Sequence, residues 1–223
     1  MIVGRGLIAK QFLEVDSDDI IYFASGVSNS SENDASQFKR EENLIKETIF
    51  NNPQKLFVYF STCSIYDSSK YDSAYVLHKL HMEEIIKYNT QHYLILRVSN
   101  AVGNGGNPNL LMNYLYHQIS NENTLYIHEK ATRNLIDVED IKEITQKYIK
   151  SKFTNRIVNV AYRSNYRIAE IVATFERLLN KKSNKIYQEV GEHYTIDLHE
   201  LNYDFKIKKK EKYLENLVQK YYV

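Results

Sequence analysis

Lys55-Leu56-Phe57-Val58-Tyr59-Phe60-Ser61-Thr62 is the stretch that decides the fold. Its apolar run is unbroken rather than alternating, which predicts a strand buried on both faces, as in a parallel sheet. The strand delivers Ser61 and Thr62 at its carboxyl end. Thirteen positions later comes Tyr75-Val76-Leu77-His78-Lys79, in a stretch over residues 75–87 that reads as a helix with Val76, Leu80, Met82, Ile85 and Ile86 available for packing. Tyr75 and Lys79 are then i and i+4 on one helical face. A free phenol has a pKa near ~10, too high for a base at neutral pH. A neighbouring ammonium favours the phenolate and can lower that value by roughly 1–3 units, towards the range useful for proton transfer. The Thr62 hydroxyl stands ready for the oxygen that gains or loses the proton. Tyr-x-x-x-Lys alone carries little weight in a chain with 19 tyrosines, so the surrounding elements must support it.

Upstream, residues 1–3 are a short apolar start, followed by Gly4-Arg5-Gly6-Leu7-Ile8-Ala9 and a helical-looking stretch over residues 7–13. Residues 19–24 read as a buried strand ended by Ser25-Gly26, and residues 28–34 as a polar loop. Residues 35–50 form a helix whose stripe is Phe38, Leu44, Ile45 and Ile49. Downstream, residues 93–97 are a strand closed by Val98-Ser99-Asn100-Ala101-Val102-Gly103. The order β-α-β-α-β-α-β with apolar strands predicts an α/β fold with a doubly wound parallel sheet. From Asn104 the texture changes. Gly105, Gly106 and Pro108 make a loop, residues 110–119 a helix, and residues 124–127 a small strand. Residues 133–136 lead into a helix over 138–150, residues 156–161 form the last strand of the main sheet, and residues 168–179 another helix. Residues 185–223 form an αβ tail.

Size and charge exclude several classes. A chain of 223 residues can bury a proper core. Its formal net charge of +1 sets up no global field for nucleic acid or an anionic membrane. The basic run Lys206, Lys208, Lys209, Lys210 and Lys212 reads as a solvated surface. No apolar stretch approaches the ~20 residues of a membrane span. The amino terminus enters a strand at once, leaving no room for a signal peptide, and the one cysteine, Cys63, fits a reducing cytoplasm. Cys63 itself reads as a small buried side chain. His78 and His81 lack a completing ligand set, so no metal site is expected; His128, His193 and His199 have no recognisable partners.

Together these segments resemble the extended short-chain dehydrogenase/reductase family of nucleotide-sugar epimerases, dehydratases and ketoreductases. Gly4-x-Gly6-Leu-Ile-Ala9 is similar to its glycine-rich turn, and residues 20–25 to the strand under the nicotinamide half of the cofactor. Phe60-Ser-Thr62-Cys-Ser-Ile-Tyr66 with Tyr75-x-x-x-Lys79 resembles the catalytic set. Leu96-Arg97-Val-Ser-Asn100-Ala-Val-Gly103 and Arg133-Asn-Leu-Ile-Asp-Val-Glu-Asp140 resemble two further signature segments. The resemblance implies Tyr75 as acid/base, Lys79 on the nicotinamide ribose and Thr62 on the reacting oxygen. It implies cofactor contacts from Gly4, Arg5, Gly6, Leu7, Ile8, Ala24, Ser25 and Ser61, with backbone N–H groups at the pyrophosphate. Ser64, Asn100 and Arg133 would meet the substrate, the last two at its phosphates. Residues 1–165 would form an abridged NAD(P)-binding Rossmann-like domain, with 104–136 contributing to the substrate lobe, and residues 166–223 the carboxyl-terminal lobe.

The chain also departs from that family. Only about ten residues separate Ala9 from Ile20, where the family fits two further strands and a helix. The expected sheet therefore has about five parallel strands in family order 1-4-5-6-7, its first strand at an edge that a homodimer partner or the tail would cover. The acidic residue for the adenosine ribose has no counterpart; Asp16, Asp18 and Asp19 read as loop and strand-entry residues. Cofactor is expected to bind weakly, and Arg5 tilts the choice towards NADP over NAD. Cys63-Ser64 stands where the family's dehydratases carry an Asp-Glu pair, which argues against 4,6-dehydration. C4 epimerisation or keto-sugar reduction remains, with bacterial surface polysaccharide as the expected destination. The competing expectation is a non-catalytic nucleotide or nucleotide-sugar sensor that kept the fold.

Overall fold

The computed structural model describes residues 1–15, 17–152 and 154–223. Its centre is a five-stranded parallel sheet in the order β1 (Ile2–Val3), β2 (Ile20–Phe23), β3 (Leu56–Thr62), β4 (Tyr93–Val98), β8 (Arg156–Val160). The expected abridged sheet is therefore present, with the first strand at one edge. Register is continuous: Phe23 pairs with Tyr59, and Thr62 with Val98. Helix α1 (Ala35–Asn51) and helix α2 (Ala74–Asn89) make the crossovers on either side of β3.

Why the apolar runs must be unbroken is visible in the two cores. Ile21, Phe23, Phe57, Tyr59 and Ile95 point to one face, against Ile45 and Ile49 of α1 and Met82 and Ile86 of α2. Their strand neighbours Tyr22, Val58, Phe60, Leu94 and Leu96 point to the other. There they meet α3 (Leu111–Ser120), α4 (Val138–Lys150), α5 (Ile168–Leu179) and α6 (Lys210–Tyr222). Strand side chains alternate faces, so a sheet covered twice needs apolar residues at every position.

Two smaller sheets complete the chain. The strands β5 (Asn100–Val102), β7 (Thr132–Asp137) and β9 (Asn165–Arg167) form one, and β6 (Thr124–His128) pairs in parallel with β10 (Asn184–Gln188) in the other. The tail returns to the main body through tyrosines. Tyr213 Oη donates to Asp140 Oδ2 at 2.6 Å and accepts from the Asp137 N–H at 2.8 Å, and Tyr221 Oη donates to Asp137 Oδ1 at 2.6 Å. Asp137 also caps α4, accepting from Glu139 N–H, and pairs with Lys220 at 3.0 Å. The phenol of Tyr213 thus accepts the N–H of the α4 cap residue, while that of Tyr221 donates to the cap's carboxylate.

Several expectations need correction. The helix over residues 7–13 is a single 3-10 turn, Ala9–Phe12, because the chain must re-enter the sheet at Ile20. Residues 133–136 belong to a strand of their own, β7. His193 and His199 do have partners: Nδ1 of His193 meets Thr132 Oγ1 at 2.9 Å, and Nδ1 of His199 meets Asp197 at 2.7 Å. The reading of Asp16 falls outside the described residues. Among those described, no helix is long and apolar enough to cross a membrane.

The turn after β1 depends on Gly4. Its φ is +127°, and a Cβ there would lie 2.4 Å from the Ala24 carbonyl oxygen. Gly4→Ala is expected to cost about 1–3 kcal/mol through strained backbone and a displaced β2. Thermal denaturation checks it; an unchanged melting temperature would remove this account of the turn.

Candidate functional site

A cavity of about 580 Å³ opens at the carboxyl ends of β1 to β4. Arg5, Gly6, Leu7 and Ile8 line it from the turn after β1, Ala24 and Ser25 from the end of β2, and Ser61, Thr62 and Ser64 from the end of β3. Tyr75 and Lys79 line it from α2, with Asn100 and Arg133 on the lobe side. Of the expected site residues only Gly4 does not line it; Gly4 packs under Ala24.

Thr62 ends β3 and caps the 3-10 turn Cys63–Tyr66, its Oγ1 accepting the Ser64 N–H at 3.0 Å. That uses an acceptor lone pair and leaves the hydroxyl proton for an oxygen in the cavity. Ser73 caps α2, accepting the Val76 N–H, and so fixes Tyr75 at the first turn. The Tyr75 ring is 7% exposed and packs with Val27 and Val76. Its hydroxyl has no hydrogen-bond partner among the described residues.

Lys79 shares the Tyr75 face of α2, as its spacing implies, but its ammonium is already engaged. Its ammonium is buried, donating to Glu41 Oε1 at 2.9 Å and Tyr59 Oη at 3.2 Å, and lies 5.9 Å from the centre of the Tyr75 ring. Glu41, on α1, is fully buried and engaged on both oxygens. Oε1 also accepts from Tyr59 Oη at 2.7 Å, and Oε2 accepts from the Val27 N–H at 2.6 Å and meets His78 Nε2 at 3.1 Å. Burial alone would push the Glu41 carboxyl up; Lys79, His78, Tyr59 and the Val27 N–H together hold it far below the usual carboxylate range. Burial, with Glu41 beside it, pushes the Tyr59 phenol well above its ordinary value.

Other groups near the cavity are already committed. Ser61 Oγ donates to Glu83 Oε1 at 2.6 Å, and Glu83 receives the Arg97 guanidinium at 2.6 Å from Nη2. Asn100 Nδ2 donates to the Asn134 carbonyl at 2.7 Å, tying β5 to β7. Arg133 Nη1 lies 3.9 Å from Asp67, a buried acid that lines the cavity. Cys63 is buried, its Sγ donating to the Arg97 carbonyl, and burial pushes the thiol up to about 12, so it is an inert packing group. No metal-holding group of His, Cys, Asp and Glu exists among the described residues.

The sequence reading missed Glu41, Asp67, Arg40 and Lys70. Arg40 donates to the Ser25 carbonyl at 3.2 Å, and Lys70 reaches Ser30 Oγ at 3.2 Å, both on the cavity wall. Burial and the nearby Arg133 lower the Lys70 pKa. Only spacing from a folded chain brings these residues to the cleft; no local motif marks them.

The glycine turn can receive a dinucleotide pyrophosphate. Among the described residues the N–H groups of Gly6, Leu7 and Ile8 have no acceptor in the chain, and a Cβ on Gly6 would meet nothing within 4 Å. The described residues between the 3-10 turn and β2 form no strand or helix that could enclose an adenosine.

Comparison with known proteins accords with this geometry. Residues 3–161 match the family described as NAD dependent epimerase/dehydratase. The chain belongs to the NAD-dependent epimerase/dehydratase family. No curated protein sequence matches the chain significantly. Among solved structures, a UDP-galactose 4-epimerase is 14% identical with a TM-score of 0.73, covering 94% of this chain and 79% of that one. The UDP-glucuronic acid 4-epimerase of Bacillus cereus, solved with UDP-glucuronic acid and NAD, is 16% identical with a TM-score of 0.68, covering 95% and 79%. The protein RMD of Pseudomonas aeruginosa, solved with NADPH, is 15% identical with a TM-score of 0.66, covering 89% and 81%. At these identities the likeness to this member of the NAD-dependent epimerase/dehydratase family is one of fold.

Proposed function

We propose that the chain is an NAD(P)-dependent epimerase or ketoreductase acting on a nucleotide-activated sugar. The observation that supports this most is one cavity shared by the glycine turn, Thr62, Tyr75 and Lys79, in which the Tyr75 hydroxyl and the Thr62 proton are both uncommitted. A bound nicotinamide supplies the hydride chemistry at a sugar carbon. In the oxidising direction Tyr75, as the phenolate, would take the proton of the sugar hydroxyl, and Thr62 would donate a hydrogen bond to that oxygen. In the reducing direction Tyr75 returns the proton. Lys79 has three protons and spends two on Glu41 and Tyr59, so one remains for a ribose hydroxyl. Arg133 and Lys70 supply the positive wall for the substrate's phosphates, and residues 166–223 complete the substrate side. Arg5, in the glycine turn, favours NADP over NAD through its reach to a 2′-phosphate on the adenosine ribose.

A second reading rests on a specific observation. Among the described residues the path from Ala9 to Ile20 carries one 3-10 turn and no strand or further helix to enclose an adenosine, which suits a protein that binds a nucleotide-sugar without turnover. Calorimetry with NAD, NADP and a panel of UDP-, dTDP-, GDP- and CDP-sugars, followed by product analysis, separates the two. Binding of a dinucleotide and conversion of one sugar nucleotide is the expected result. Sugar-nucleotide binding with no conversion favours the sensor, and binding of neither class sinks both.

A further inference from the structure

Glu41 is a carboxylate with no exposed surface, and it neutralises a lysine beside the cavity. It holds together four segments: its own helix α1, the loop after β2 through Val27, β3 through Tyr59, and α2 through His78 and Lys79. The pair is closed in on the side of Gly26. A Cβ on Gly26 would lie 2.5 Å from Lys79 Nζ and 2.7 Å from Glu41 Oε1. The ammonium packs against Gly26 and Glu41, 5.9 Å from the centre of the Tyr75 ring.

This has an electrostatic consequence. A lone ammonium beside a phenol favours the phenolate, whereas an ammonium paired with a carboxylate presents no net charge. We propose that Glu41 is a positioning residue of this site: it pins Lys79 at the cavity wall and cancels its charge, and so sets the pH range in which Tyr75 exchanges its proton. The inference rests on the reading of the site given above and deepens it. Lys79 then acts as a hydrogen-bond donor more than as a field.

The other charged and titratable groups packed around the pair do not replace Glu41. His78 on α2 shares the Glu41 carboxylate, and Tyr59 on β3 donates to it. Glu83, also on α2, is occupied by Arg97 of β4. Arg40, Lys70 and Asp67 line the same cavity but make no hydrogen bond or ion pair with Lys79 among the described residues.

The test is a titration of protein carrying 13Cζ-labelled tyrosine, with the Tyr75 signal assigned by its loss in Tyr75→Phe. Reading it above about pH 8 keeps ordinary imidazole titration out of the window. In Glu41→Gln a negative charge is gone, so the Tyr75 midpoint is expected to fall by about one pH unit or more. In the double variant Glu41→Gln/Lys79→Met both charges are gone, and the midpoint is expected within about half a unit of wild type. The double variant also leaves no unpaired buried charge, so it remains informative if the single one does not fold. A midpoint in Glu41→Gln that stays within about 0.3 unit or rises overturns the inference, as does a double-variant midpoint displaced by about a unit or more. Failure of the site reading looks different: Tyr75→Phe would keep full turnover while the midpoints still moved as stated.

Discussion

Tyr75→Phe is expected to lower turnover by about 10²–10⁴-fold while leaving binding of the sugar nucleotide within a factor of about three. The change removes one oxygen and nothing else. The ring is buried against Val27 and Val76, and phenylalanine fills the same space. No hydrogen bond of the fold goes with the hydroxyl, so the melting temperature is expected to hold. Lys79→Ala is a poorer first test, because it would leave Glu41 buried without its cation, and any loss of activity would be mixed with loss of fold. Steady-state kinetics on the converted sugar nucleotide, with a melting curve on the same preparation, decides the matter. A folded Tyr75→Phe protein with undiminished turnover removes Tyr75 from the chemistry.

What could be seen beforehand follows from how far each signal reaches along the chain. The strands were legible because a doubly covered sheet demands uninterrupted apolar runs, as at residues 56–60. Tyr75 and Lys79 were legible because a helix turn fixes their spacing, and Thr62 because it ends an apolar strand. The tail was not: nothing local in it shows that the hydroxyls of Tyr213 and Tyr221 donate to Asp140 and Asp137, more than 70 positions away. Glu41 and Glu83 were the costliest omissions. A glutamate on an amphipathic helix reads as solvent-facing, and nothing nearby in sequence announces a buried cation partner. The 3-10 turn at Ala9–Phe12 failed for the opposite reason. Its composition suits a helix, but the short return to β2 leaves no room for a longer one.

Those two glutamates also explain how α1 and α2 are locked to β3. Tyr59 and Ser61 are two apart, on one face of the strand, and each donates to a buried carboxylate: Tyr59 to Glu41 from α1, Ser61 to Glu83 from α2. Polar residues in a central strand would be destabilising without such acceptors. The result is a seam of paired charge between the sheet and its helices, of which Lys79 is itself a member.

Glu83→Ala should therefore act on the fold more than on the chemistry. It strips the Arg97 guanidinium, half-buried in β4, of its carboxylate, and leaves the Ser61 hydroxyl without an acceptor. Breaking a buried pair from one side costs about 3–5 kcal/mol, which for a chain of this size lowers the melting temperature by roughly 6–20 °C. Glu83→Gln keeps an acceptor for Ser61 and Arg97 and loses only the charge, so it should fall between wild type and alanine. Replacing both partners, in Glu83→Met/Arg97→Met, removes the unpaired charge and should recover much of the loss, because the penalty comes from stranding one ion and not from losing the pair. Calorimetric melting of the three variants gives the order directly. If Glu83→Ala melts with the wild type, Arg97 is not held by Glu83, and the seam does not extend to the second helix.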